Sequence, residues 1–269
     1  MKKIKSLIIY LILIALSVIC IFPLLYAVET SLVSAADIGK LVPPTHITLE
    51  NYIVIFTKYN VWTWIKNSIF MTACVMAGNA VIGLFTGYAI SHFRFPGRKL
   101  VYAMVLVSMM VPFQLLITPI YIQVVNFGWT NTMKSIIIPF LAQSIYIFLT
   151  KQYFDSFPFE LEEAAKIDGI TRFGFFARIA VPIAAPLYTT IIILSFTGNW
   201  NSFFVPSTLL NDQKLFPLAV GLNTVKSRYF TQPNLTLAGT VLLTLPVLIV
   251  YFIFQKWFIQ GVATSGIKQ

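Results

Sequence analysis

Side chains able to do chemistry are few in this 269-residue chain, and they are unevenly placed. Nine are acidic, and five of these, Asp155, Glu160, Glu162, Glu163 and Asp168, fall within Lys151–Val181. The histidines, His46 and His92, lie far apart, and the cysteines, Cys20 and Cys74, sit in uncharged apolar runs that give no disulfide framework and no cysteine metal site. Gly169 to Gly174 has the G-x-x-x-x-G spacing of a phosphate-binding loop, but Phe175-Phe176 stands where Lys-Ser/Thr would hold phosphate and magnesium. No catalytic constellation and no metal site emerges. The carboxylate cluster is left, and something must position it.

Local signals around the cluster spell two helices and a sharp turn. Pro158 suits a first helical turn, where its missing N–H is not needed, and Glu160, Glu162 and Glu163 follow where the helix dipole favours negative charge. Gly169 after Asp168 can take the left-handed conformation that closes a helix. Thr171 can cap the next one, which runs through Phe173, Phe176 and Ile179 to Pro182. On the first helix Leu161, Ala164, Ala165 and Asp168 share a face, and two small alanines there leave room for a partner to approach.

The rest of the chain is membrane material. Hydrophobic residues make up 58% and charged residues 10%, far from the roughly 25% charge of soluble domains. About 20 apolar residues cross a bilayer. Charge-free runs give six spans: Leu7–Ala27, Asn67–Phe93, Leu100 to about Thr118 with an outer turn near Asn126–Thr132, Ser135–Thr150, Pro182 to about Phe196, and Leu235–Phe254. The first run exceeds a secretory signal core of about 7 to 15 residues, and Ile19 before Cys20 is too large for lipoprotein cleavage, so it is expected to stay as a span.

Six spans put both termini on one side. Lys2, Lys3, Lys5, Arg94, Arg98, Lys99, Lys151, Lys166, Arg172, Arg178, Lys256 and Lys268 then share that side, and basic enrichment makes it the cytoplasm. The net charge of +10 is thereby explained without nucleic acid. His46 and His92 fall on opposite sides. Two long outer segments, Glu29–Ile65 and Asn199–Asn234, mix aromatic and polar residues and suit either the membrane surface or a protein partner. Gly83 and Gly87 permit close helix approach, for which packing within the chain is favoured over a partner contact. Asn67, Asn79, Gln114 and Gln143 could line a pathway or bond between helices.

Glu163-Ala164-Ala165-Lys166-Ile167-Asp168-Gly169, followed by Arg178-Ile179-Ala180-Val181-Pro182, closely resembles the EAA loop of ABC importer permeases. Gly87 to Arg98, Val111-Pro112 through Tyr121, Asn199-Trp200-Asn201, Leu215 to Leu222, and Phe254 to Phe258 with Gly261 and Gly266-Ile267-Lys268 extend the likeness along nearly the whole chain. It is similar to the second permease subunit of maltose-type carbohydrate importers. His92 and Ser265 depart mildly from that pattern.

The resemblance implies an all-α membrane protein of the type I ABC importer permease fold, with six transmembrane helices and a cytoplasmic coupling helix. Its expected parts are an N-terminal span with the first outer loop (1–66), a permease core (67–258) containing the coupling loop (151–181), and a cytoplasmic tail (259–269). Glu163, Ala164, Ala165, Lys166, Asp168 and Gly169 would couple to the ATPase, with Ala164 and Ala165 seated in its cleft. Asn211 to Leu222, and in particular Asn211, Asp212, Gln213 and Lys214, would project toward an extracytoplasmic solute-binding protein. A homologous permease, two ATP-binding subunits and membrane lipid are the other implied partners. ATP and Mg would be held by those subunits, with no cofactor in this chain. The chain would form half of a sugar pathway in the cell membrane. A permease for another solute is the alternative; a secondary transporter fits less well, because no carboxylates pair within the spans.

Overall fold

The computed structural model describes residues 2–40, 46–228 and 232–266. Tyr229 and Phe230 of the second outer segment, and 267–269 of the expected tail, lie outside the described residues. Within them the chain is helical: α1 (Lys2–Ser31), α2 (Glu50–Lys58), α3 (Val61–His92), α4 (Arg98–Met110), α5 (Phe113–Asn126), α6 (Met133–Ile137), α7 (Ser144–Asp155), α8 (Phe159–Ile167), α9 (Arg172–Phe175), α10 (Val181–Ile183), α11 (Ala185–Trp200), α12 (Phe204–Leu209), α13 (Leu218–Arg228) and α14 (Pro233–Gly266).

Four stretches are long and apolar enough to cross a bilayer alone: Lys5–Ser31, Val61–His92, Met133–Asp155 and Pro233–Lys256. Two bent helix pairs bring the number to six among the described residues if each pair counts as one span. α4 and α5 meet at 106°, and Arg172–Ile183 meets α11 at 71°. The expected third span, Leu100 to about Thr118, is thus corrected to two helices that change direction. The break falls where a proline removes a donor and pushes its predecessor out of helical space: Val111 is extended at ψ 121°, and Pro112 caps α5. The second bend comes at Ala184, between Pro182 and Pro186. The expected Ser135–Thr150 span belongs to the longer Met133–Asp155, which a short 3-10 turn at Ile138–Phe140 interrupts. α14 runs on to Gly266, within the expected tail.

α3 is the mast of the bundle, packed by α7, α11 and α13, while α1 leans on α14, meets α2 at Ser31, and keeps Leu7 to Leu25 exposed, as a lipid-facing helix would. The α3–α7 seam explains Gly83 and Gly87. A Cβ on Gly87 would lie 2.5 Å from Thr150 Cβ and 2.7 Å from the Ile147 carbonyl, and one on Gly83 would lie 3.1 Å from Tyr146 Cβ. Close approach within the chain is what these residues serve. Polar side chains then lock the seam. Asn79, fully buried, accepts from the Gln143 backbone N–H (2.9 Å) and donates to Ser195 Oγ (3.4 Å), joining α3, α7 and α11. Asn79 therefore bonds between helices, whereas Gln114 is exposed.

Candidate functional site

The acidic cluster lies at the His92 end of α3. Its helix, α8, follows Pro158, carries Glu160 and Glu162 in its first turn and ends with Lys166 near its C-terminus, each sign complementing the helix dipole. Closure is a full Schellman turn. The Ile170 N–H donates to the Ala165 carbonyl (2.9 Å) and the Gly169 N–H to the Lys166 carbonyl (3.1 Å), with Gly169 at φ +73°. A Cβ at Gly169 would meet nothing within 4 Å, so the demand there is conformational rather than steric. Thr171 Oγ1 accepts from the Gly174 N–H (3.1 Å) and starts α9, as its sequence position suggested. A π turn at Phe176–Ala180 then carries the chain to α10.

Packing decides which way α8 faces. Ala165, 4% exposed, sits in a core with Tyr88, Phe154, Phe157, Phe175 and Phe176, and Ile170 packs on the same core. Glu162 is turned the same way, 3.9 Å from the buried Nε2 of His92. The face left open is Glu160, Glu163, Ala164 and Ile167, at i, i+3, i+4, i+7 spacing, and Ile167 is 86% exposed. The expected stripe of Leu161, Ala164, Ala165 and Asp168 is therefore split: Ala165 serves the chain's own core, and Ala164 alone of the alanine pair faces outward. Ile167 was the missed member. An exposed isoleucine beside a carboxylate and an alanine suits an apolar contact with a charged edge.

The end of α7 that leads into α8 is tied to the bundle. Asp155 accepts from Ser91 Oγ (2.7 Å) and pairs with Lys151, and Arg98 donates to the Ser91 carbonyl (2.8 Å). Tyr153 donates its hydroxyl to the Ile183 carbonyl (3.0 Å), tying α7 to the helix beyond the turn.

At the opposite end of α3, the backbone of Asn211–Lys214 is pinned. Asn131 Oδ1 accepts from the N–H groups of Asn211 (2.9 Å) and Asp212 (3.0 Å). Trp64 Nε1 donates to the Gln213 carbonyl (2.9 Å), and Asn67 Nδ2 donates to the carbonyls of Lys214 (2.8 Å) and Phe216 (3.0 Å). The four side chains from Asn211 to Lys214 remain exposed. Beyond them Leu218, Val220 and Leu222 are buried, so the projecting part of Asn211–Leu222 shrinks to its first residues.

Sequence likeness over most of the chain decides the kinship. Residues 79–264 match the family described as "Binding-protein-dependent transport system inner membrane component". The chain belongs to that family. The arabinooligosaccharides transport system permease protein AraQ of Halalkalibacterium halodurans is 31% identical, covering 93% of this chain and 92% of that one. The diacetylchitobiose uptake system permease protein NgcG of Streptomyces coelicolor is also 31% identical, over 93% and 84%. The fold is shared with a bacterial ABC transporter involved in the import of the acidic polysaccharide alginate, at TM-score 0.82, 24% identity and coverage of 95% and 97%. The chain is thus a multi-pass membrane permease subunit of the ABC importer kind.

Proposed function

We propose that this permease forms half of the translocation pathway of an ATP-driven importer for sugars or oligosaccharides, and that it holds ATP and Mg nowhere in its own chain. The observation that carries the coupling role is α8, held rigidly on the bundle through Ala165, Ile170 and Glu162 while Glu163, Ala164 and Ile167 face outward. The sugar class is supported by relatives whose names specify arabinooligosaccharides and diacetylchitobiose.

In this reading both termini and α8 are cytoplasmic, in keeping with the basic residues around Arg94–Lys99 and Lys166–Arg178. A homologous permease completes the pathway, and each permease receives one ATP-binding subunit on its coupling helix. Closure of the ATP-binding subunits moves α8, and the bundle turns with it because α8 is seated on α9 and on the core around Ala165 and faces His92 of α3; alternating access is the result. Asn211–Lys214 faces the opposite side and meets the solute-binding protein. A bacterial alginate ABC transporter in complex with its periplasmic protein contains a chain that shares this fold at TM-score 0.67.

The test is uptake by vesicles containing the complete transporter, supplied with binding protein, internal or external ATP as orientation requires, and a panel of labelled oligosaccharides, amino acids and inorganic anions. ATP-dependent accumulation of one saccharide class is expected. Accumulation of a non-sugar solute alone would overturn the sugar assignment.

A further inference from the structure

Two adjoining recesses open beside α9 at the His92 end. One is a groove of about 650 Å³ between α3, α4 and α9, walled by Phe85, Ile90, Phe93, Val101 and Phe176 with Arg172 at its mouth. That volume falls in the range of small-molecule sites, roughly 300–1,000 Å³. The other, about 550 Å³, is formed by Arg94 to Lys99, and Phe95 belongs to both. Among the described residues no acidic side chain lines either recess. The nearby carboxylates are turned inward, Glu162 to His92 and Asp155 to Ser91 and Lys151. Arg98 is held by its bond to the Ser91 carbonyl, and Arg172 lies over the Phe93 ring, 6.0 Å from its centroid. Arg98 and Arg172 are thereby held without a carboxylate partner among the described residues, and Arg94 and Lys99 beside them are exposed.

We propose that this double recess binds an anionic phospholipid, with an acyl chain in the aromatic groove and the phosphate among Arg172, Arg94 and Lys99. The division of chemistry matches an amphiphile. Phe93 and the cations stand at the end of a span, and Phe85 lies eight residues back along α3, about 12 Å into the bilayer at 1.5 Å per residue. Charge sits at headgroup depth and aromatic surface below it. A water-soluble acidic protein could meet the cations but not fill the groove down to Phe85, while an apolar helix would fill the groove and leave the cations unmatched. Basic pockets between spans are a recognised form of headgroup site. The position gives the lipid a role as well. Phe173 and Phe176 belong to the segment that directly follows Gly169, so an acyl chain in the groove braces the joint through which α8 moves α3.

The experiment uses the complete transporter in nanodiscs of phosphatidylcholine carrying a small fraction of photoactivatable phosphatidylglycerol, with the labelled peptides mapped by mass spectrometry. Labelling of 93–99 and 172–176 should exceed that of the exposed α1 helix several-fold. Photoactivatable phosphatidylcholine should show no such excess. Each guanidinium removed, in Arg94→Ala and Arg172→Ala, should lower the excess about fivefold, since one basic residue near an anionic headgroup contributes about 1 kcal/mol. The lysine variants should keep most of it. Ala89→Trp, which leaves every cation in place and fills the groove, should also abolish the excess. Groove labelling no stronger than that of α1, labelling unaffected by the alanine variants, or absence of labelling by either lipid would each overturn the site; the last would mean that protein covers it.

Discussion

At the His92 end of α3 the projecting element is a nine-residue helix seated by side chains, whereas at the Trp64 end it is a four-residue turn held by hydrogen bonds to its backbone. The physical consequences differ. A helix whose own hydrogen bonds are internal can be packed on one face and pushed on the other, so it passes on a displacement as a rigid body. A turn has no internal ladder, and its backbone groups must be met from outside if it is to hold one shape. Asn131, Trp64 and Asn67 meet them, Asp212 Oδ1 accepts from the Lys214 N–H, and the side chains from Asn211 to Lys214 stay exposed. The α8 end is thus built to move as a unit, and the Asn211–Lys214 tip is built to stay where α3 puts it.

The most damaging way to break that contrast is to unhinge α8 from α9. Gly169→Val forces a β-branched residue to φ +73°, which costs about 1–2 kcal/mol over glycine and weakens both bonds of the Schellman turn. Transport should fall to background while the amount of chain in the membrane stays normal. Gly169→Asn, which tolerates the left-handed region, should recover part of it. Wild-type uptake by the valine variant at equal abundance would show that the turn transmits nothing.

Next in size is the open face of α8. Removing one member of a desolvated charge pair costs about 2–5 kcal/mol, so Glu163→Lys should weaken co-purification with the ATP-binding subunit at least tenfold. Ile167→Asp should act through lost apolar contact, to a similar or smaller degree. Unchanged co-purification by both variants would remove this face from the interface.

The alanine pair sharpens the comparison further. Ala165→Leu places extra methylenes into the core around Phe154 and Phe175, which costs about 1–3 kcal/mol and should lower the unfolding temperature of the purified chain. Ala164→Leu, on the exposed side, should leave that temperature alone and impair docking. Equal thermal effects from the two would mean that α8 is not seated by one face.

How far these features could be read from sequence depends on their range. Pro158, Gly169 and Thr171 act on neighbours within a few residues, so their roles were legible from type and spacing. The choice of Ala165 over Leu161 for the inner face was not, because helical spacing defines several stripes and only the aromatic core supplied by α3, α7 and α9 selects one. The bend at Val111-Pro112 was hidden in a charge-free run, since hydropathy reports composition and not direction, although Pro112 was in plain view. Asn67 shows the extreme case: its partners lie 147 and 149 residues away, and no local pattern announces them.

Asn67 also gives the smallest and most discriminating prediction. Its amide caps two carbonyls of the Asn211–Phe216 turn, at Lys214 and Phe216, from the first turns of α3. A hydrogen bond of this kind contributes about 0.5–1.5 kcal/mol net, and one of the two is exposed to water that can replace it. Asn67→Ala should therefore loosen the turn rather than unfold it, because Trp64, Asn131 and the buried Leu218 still hold its ends. Amide exchange at Gln213–Phe216 should quicken about fivefold, the equivalent of about 1 kcal/mol. Stimulation of ATP hydrolysis by the binding protein should drop by no more than that factor, and the basal rate should hold. If exchange quickens and stimulation is untouched, the tip rests on the membrane surface and recognises nothing. If stimulation falls with no change in exchange, Asn67 acts by some route other than the shape of the turn.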